Sequence, residues 1–147
     1  MAYEILENNF QEKAVVVAGV DGQGYTLARL LVKELKKIAA FEIQLIRIRI
    51  DKAAPETSEV QLDAELTTLR RKTILLVDDV LNTGKIISYA MKPFLQIPVR
   101  KIEVAVLVNR SHLQFPIHPT YTGYALATTL SDHIEVVLDK ESHVYLH

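Results

Sequence analysis

Two adjacent carboxylates, Asp78 and Asp79, close a run of apolar residues, Ile74 to Val77, and Thr83-Gly84-Lys85 follows shortly after. Adjacent acids can accept hydrogen bonds from two neighbouring hydroxyls. A Thr-Gly turn that opens a helix presents free backbone N–H groups, which attract phosphate. The stretch TILLVDDVLNTGK therefore suits a ligand carrying both hydroxyls and a phosphate. Other phosphate and metal loops fit worse. A Walker A loop needs Gly where Asp79 stands and Ser or Thr where Ile86 stands. An EF-hand needs an oxygen ligand at Leu81. The plain alternative is a buried strand that ends in a solvated acidic turn.

A second glycine-rich turn, Asp21-Gly22-Gln23-Gly24, follows the apolar run Ala14 to Val20. A helical pattern begins at Thr26, so the turn is either another phosphate-binding geometry or a close-packing corner. It is no dinucleotide fingerprint, because Leu27 stands where the third glycine belongs. Two cations, Arg47 and Arg49, fall near the end of Phe41 to Ile50 and read either as ligand contacts or as a solvated face. The histidines show no metal-ligand spacing: His112, His118, His133, His143 and His147 include no His-x-His or His-Glu-x-x-His pair.

The elements that must position these groups follow from periodicity. Ala14 to Val20, Ile74 to Val77 and Ile102 to Val108 are continuous apolar runs, suited to strands buried on both faces of a parallel sheet. Leu27, Leu30, Leu31, Leu35 and Ile38 recur at helical spacing. Apolar residues in Phe41 to Ile50 switch from odd to even positions, which turns Arg47 and Arg49 onto the initially buried face. Asp51 to Leu66 reads as a long mobile loop. Pro93 should kink or end the helix after Lys85. Ile134 to Leu138 and His143 to Leu146 read as a hairpin turning through Asp139 to Ser142. Met1 to Lys13 reads as one helical turn or an extended arm. The alternation predicts an α/β domain over residues 1–147, with a mostly parallel twisted sheet, helices on both faces and a small C-terminal hairpin. Open sheets of this kind bind ligands at the carboxyl ends of their strands.

The 147 residues carry a formal net charge of −1, so no global positive field draws in nucleic acid. Cysteine is absent, which excludes thiolate chemistry and fits a reducing, cytoplasmic setting. No apolar run approaches ~18 residues, so no membrane span is expected.

The stretch from Thr73 to Lys85 resembles the signature of the type I phosphoribosyltransferases: four apolar residues, two acids, a short linker, Thr-Gly. The segment Val106 to Gly123 is similar to the corresponding part of the pyrimidine operon attenuation proteins, the branch of that family that uses uracil and binds messenger RNA. The resemblance implies a transferase acting on 5-phosphoribosyl-1-diphosphate (PRPP) and a nucleobase or nucleoside monophosphate, as a homo-oligomer with Mg²⁺ as cofactor. It implies that Asp78 and Asp79 hold the ribose and the metal. Val80, Leu81, Asn82, Thr83, Gly84 and Lys85 would cradle the 5′-phosphate. Asp21, Gly22, Gln23 and Gly24 would take the pyrophosphate and Asn109, Arg110, Tyr121 and Thr122 the base; the Asp51 to Leu66 loop would close as a lid and carry in Arg47, Arg49 or Lys52, with Arg49 the catalytic candidate. Uracil is the favoured base, since Asn82 stands where purine-specific relatives place an acid. Two departures stand out. The pyrophosphate loop holds no cation, and Asn109 replaces an acid. The first favours a second reading: a catalytically weak PRPP- or nucleotide-sensing regulator that binds RNA. Tyr121 reads equally as a stacking platform or as core.

Overall fold

A computed structural model describes residues 1–126, 134–138 and 143–146. The chain opens with a helix, α1 (Ala2–Asn9), rather than an arm. The reason is packing. Ile5, fully buried, joins Val15, Val17, Leu31 and Leu35 in one apolar cluster. Strand β1 (Ala14–Val20) leads into helix α2 (Gln23–Ile38), which starts directly after Gly22 and so takes in half of the glycine-rich turn. Leu27, Leu31 and Leu35 face the core as the spacing predicts, while Leu30 is exposed.

Strand β2 (Glu42–Arg49) follows, then a two-residue strand, β3 (Gln61–Leu62), inside the stretch expected to be unstructured. Strand β4 (Thr73–Leu81) carries the two acids and leads into a short helix, α3 (Lys85–Ala90). Pro93 ends α3 as expected, and the chain continues as a 3-10 turn, Lys92–Gln96. Strands β5 (Lys101–Asn109) and β6 (Tyr121–Ala125) complete the sheet. Strands β7 (Ile134–Val137) and β8 (His143–Leu146) pair antiparallel as the predicted hairpin, whose turn, Asp139 to Ser142, lies outside the described residues.

The sheet order is β3-β2-β1-β4-β5-β6, parallel except for the β2–β3 edge. Apolar residues on one sheet face pack on α1 and α2, those on the other on α3 and the 3-10 turn. From β1 the chain crosses to β2 on one side, and from β4 to β5 on the other. The order therefore reverses between β1 and β4, and such a reversal opens a crevice at the strand ends. Both loops singled out in the sequence emerge there.

Candidate functional site

Strand β4 does not stop at the acids. It stays paired with β5 through Asp78–Val106, Val80–Val108 and Leu81–Asn109. The acids therefore sit on a strand fixed by a neighbour, and only Asn82, Thr83 and Gly84 form the turn. Gly84 adopts φ 87°, a left-handed conformation that disfavours a side chain. Thr83 organises the turn: its hydroxyl accepts the Lys85 N–H at 3.3 Å, and its carbonyl accepts the N–H groups of Gln114 and Phe115 at 2.9 and 3.1 Å.

Asp78 is buried, and its Oδ1 accepts the Asp79 N–H at 2.9 Å. Burial first, and then the Asp79 carboxylate, push the Asp78 carboxyl well above the ordinary aspartate range, while Lys52 pulls it back. Asp79 is half-buried. A cleft of about 220 Å³ lies beside them, lined by residues of the Val80 to Ile87 stretch together with Lys52 and Asp78. The loop before β3 reaches this cleft twice. Lys52 approaches Asp78, and Glu56 Oε2 sits 3.2 Å from Lys85 Nζ. A larger cavity of about 580 Å³ lies away from the acids, between the β3 region and Lys92–Gln96. Size alone does not locate chemistry, and the acid pair marks the smaller cleft as the candidate site.

The glycine-rich turn abuts the same acids. Gly24 lies against β4 so closely that a Cβ there would stand 2.8 Å from Asp78 Oδ1. Asp21 caps the Gly22 N–H at 3.1 Å and lies 3.4 Å from Arg47 Nε. The Arg47 guanidinium stacks 4.1 Å from the Tyr25 ring centroid. The turn itself holds no cation, as read from the sequence, but a cation stands beside it. Periodicity showed which face Arg47 would take; its pairing with Asp21 arises from β1–β2 register, which a linear pattern does not contain. Gln23 Oε1 accepts the Leu138 N–H at 3.0 Å, so this turn also anchors the C-terminal hairpin. Arg49, the last residue of β2, is exposed and separated from the acids by β1.

The proposed base-binding residues divide. Asn109 ends β5 and its Oδ1 accepts the Ser111 N–H at 2.9 Å. Arg110 is buried, and its backbone N–H is donated to the Leu81 carbonyl at 3.0 Å. Both therefore adjoin the end of the acid-bearing strand. Thr122 is half-buried on β6. Tyr121 is different: it is 1% exposed, and its hydroxyl lies 3.1 Å from both Glu103 carboxylate oxygens and 3.3 Å from Asn9 Nδ2. Burial raises that hydroxyl to about 12. Its ring belongs to the core under α1 and has no face open to a base, which corrects the stacking role. Tyr121→Phe is expected to lower stability by about 1–3 kcal/mol in urea melts by stripping Glu103 of a buried partner, with ligand affinity unchanged. Weaker ligand binding at unchanged stability would assign the Tyr121 hydroxyl to the ligand instead.

The chain matches the phosphoribosyl transferase domain over residues 1–140. It belongs to the phosphoribosyltransferase family. A "Bifunctional protein pyrR" of Enterococcus faecalis is 31% identical over 146 residues, covering 95% of this chain and 82% of that protein. A "Pyrimidine operon regulatory protein" of Lactococcus lactis is 32% identical, covering 97% and 83%. Among solved structures, a hypoxanthine phosphoribosyltransferase from Staphylococcus aureus superposes with TM-score 0.69 at 18% identity over 94% of this chain and 74% of that one. A hypoxanthine-guanine phosphoribosyltransferase from Bacillus anthracis gives 0.68 at 15% identity over 86% and 75%. At these identities the superpositions speak for the phosphoribosyltransferase fold alone. No helix among the described residues is long and apolar enough to cross a membrane.

Proposed function

We propose that this phosphoribosyltransferase transfers ribose 5-phosphate from PRPP to uracil and releases pyrophosphate. The observation that carries the reading is the Asp78–Asp79 pair, held on β4 at the crevice between β1 and β4, one short turn before Thr83-Gly84. Asp78 and Asp79 accept the ribose hydroxyls. The turn from Asn82 to Lys85 takes the 5′-phosphate, and Asp21 to Gly24 faces the pyrophosphate. Asn109, Arg110 and Thr122 border the base. Names of relatives support a pyrimidine, and Asn82 supports it further, because an amide cannot take a proton from a purine at neutral pH.

In the reaction the ribose C1–O bond to pyrophosphate breaks and a C1–N bond to the base forms, with the base proton passing to solvent. The protein's residues position and exclude water rather than form covalent bonds. The loop bearing Lys52 and Glu56 already reaches the acid cleft, and closure of such loops excludes water from the reacting centre. Mg²⁺ fits the donors present: two adjacent carboxylates, with no group of three acids or histidines among the described residues, suit an ion that keeps several waters. When bound it supplies charge neutralisation for the pyrophosphate.

Calorimetric titration with PRPP and Mg²⁺, followed by pyrophosphate release across a nucleobase panel, tests this. PRPP binding and release with uracil but not hypoxanthine or guanine is the expected result; purine turnover without uracil overturns the base.

A second reading adds RNA binding. Lys13, Arg71, Lys72 and Arg100, the last paired with Glu12 at 2.7 Å, line one cleft of about 350 Å³ at the opposite ends of the strands from the acids. The names of the relatives, which include regulators, point the same way. Binding of a pyrimidine-operon leader RNA that weakens steeply with salt, and weakens again in Arg71→Ala with Arg100→Ala, is the expected outcome.

A further inference from the structure

The pyrophosphate turn of this family member carries an acid and no cation, yet its surroundings are not anionic. Arg47 lies on β2 opposite Gly19 of β1, on the sheet face that α2 covers. Its guanidinium meets Tyr25 and Asp21, and its backbone is fixed by Asp63. Tyr25, from the first turn of α2, stacks on it at 4.1 Å; Asp21 Oδ1 lies 3.4 Å from Nε; and Asp63 Oδ1 fixes its backbone N–H at 2.7 Å. Nε is buried and makes no hydrogen bond among the described residues, so the Asp21 contact is an ion pair without hydrogen-bond geometry. Gly24, next to Tyr25, rests on Asp78. The start of α2 thus has the ribose acids on one side and Arg47 on the other.

We propose that Arg47 is the pyrophosphate-binding cation of this protein, supplied from β2 in place of the turn, and that Asp21 holds it there until the ligand displaces the pair. The proposal rests on the PRPP reading above. The exchange is favourable on physical grounds. The side chains of Arg47 and Asp21 are 33% and 52% exposed, and an ion pair between groups so exposed contributes little. A guanidinium on a phosphate makes two parallel charge-assisted hydrogen bonds. The Tyr25 stack survives the exchange and keeps the guanidinium plane oriented, which a lysine would not permit equally.

The test uses the full chain and three ligands: PRPP, inorganic pyrophosphate and ribose 5-phosphate, each with Mg²⁺. Arg47→Gln is expected to weaken PRPP and pyrophosphate about five- to thirtyfold, the difference between charged and neutral donors, and to leave ribose 5-phosphate unchanged. Asp21→Asn is expected to tighten pyrophosphate. The exchanged pair, Asp21→Lys with Arg47→Asp, returns the cation to the turn, keeps the ion pair, and is expected to recover the affinity lost in Arg47→Gln. Equal PRPP affinity in Arg47→Gln and wild type overturns the proposal. So does equal loss of ribose 5-phosphate, which marks a structural role, or failure of the exchanged pair to recover affinity. A wild type that binds ribose 5-phosphate but not pyrophosphate overturns this proposal and leaves the ribose site standing. One that binds none of the three overturns both.

Discussion

Asp78→Asn combined with Asp79→Asn is expected to lower PRPP affinity by about 10²–10⁴-fold while raising the melting temperature of the metal-free protein. Each acid removed deletes a hydrogen bond to a charged group, worth about 1.5–3 kcal/mol, and the two sum to that range. The gain in stability comes from Asp78. Burial and Asp79 raise its carboxyl well above its ordinary value of 3.8 in the folded protein. A raised acid contributes fully to stability below that ordinary value. The contribution is lost as pH rises towards the folded value, because the unfolded chain ionises first. Asn keeps the Oδ1 that accepts the Asp79 N–H and removes the buried charge. The variant should therefore match the wild type near pH ~4 and exceed it at neutral pH, as expected where a site is kept at the expense of the fold. Paired thermal melts at the two pH values, with calorimetry on the folded variant, decide it. Unchanged PRPP affinity would remove Asp78 and Asp79 from the site.

Gly24→Ala is expected to damage stability and turnover together. Its new Cβ would lie 2.8 Å from Asp78 Oδ1, 3.1 Å from Asp78 Cα and 3.1 Å from the Val77 carbonyl oxygen. Two of these atoms are backbone of β4, which is paired with β1 on one side and β5 on the other and has nowhere to move. Helix α2 must lift instead. Overpacking of this kind costs about 1–3 kcal/mol. The start of α2 also sets the spacing between the acids and the glycine-rich turn, and a misplacement near 1 Å lowers rates about 10²-fold. Gly22→Ala is the contrast. Nothing stands within 4 Å of its added Cβ, but its φ of 95° makes the substitution strained at a distance from the acids. Urea melts and pyrophosphate release on both variants separate crowding from backbone strain. A Gly24→Ala protein with wild-type rate would show that α2 does not position the site.

The acid-bearing strand was legible because a β-branched and leucine run needs burial on both faces, and its carboxyl end is where such sheets bind ligands. Its length was not. Charge at Asp78 and Asp79 reads locally as a strand end, whereas pairing to Val106, Val108 and Asn109 carries the strand on to Leu81. The same limit hid β3: two residues, Gln61 and Leu62, have no periodicity of their own and are strand only because Ile48 and Arg49 lie opposite. Tyr121 was ambiguous for a related reason, since its partners Glu103 and Asn9 come from β5 and α1. Arg47 was visible as a cation on the initially buried face of its strand, but only strand register brings it to Asp21.

Asn9 links the first helix to the two latest strands of the main sheet. Its Nδ2 donates to the Ile5 carbonyl and to Glu103, both at 2.8 Å, and lies 3.3 Å from the Tyr121 hydroxyl. Contacts across so much sequence are slow to form, because the intervening chain must be ordered first. During synthesis α1 emerges before β5 and β6, so the Asn9 contacts to Glu103 and Tyr121 can form only once those strands have emerged. Helix α1 packs on β1 and α2 through Ile5, but its Asn9 link to β5 and β6 is among the last contacts to lock, and the amide protons of α1 should reach full protection from exchange only as the sheet closes. A probe at the N-terminus, far from the ligand crevice, would report completion of the fold.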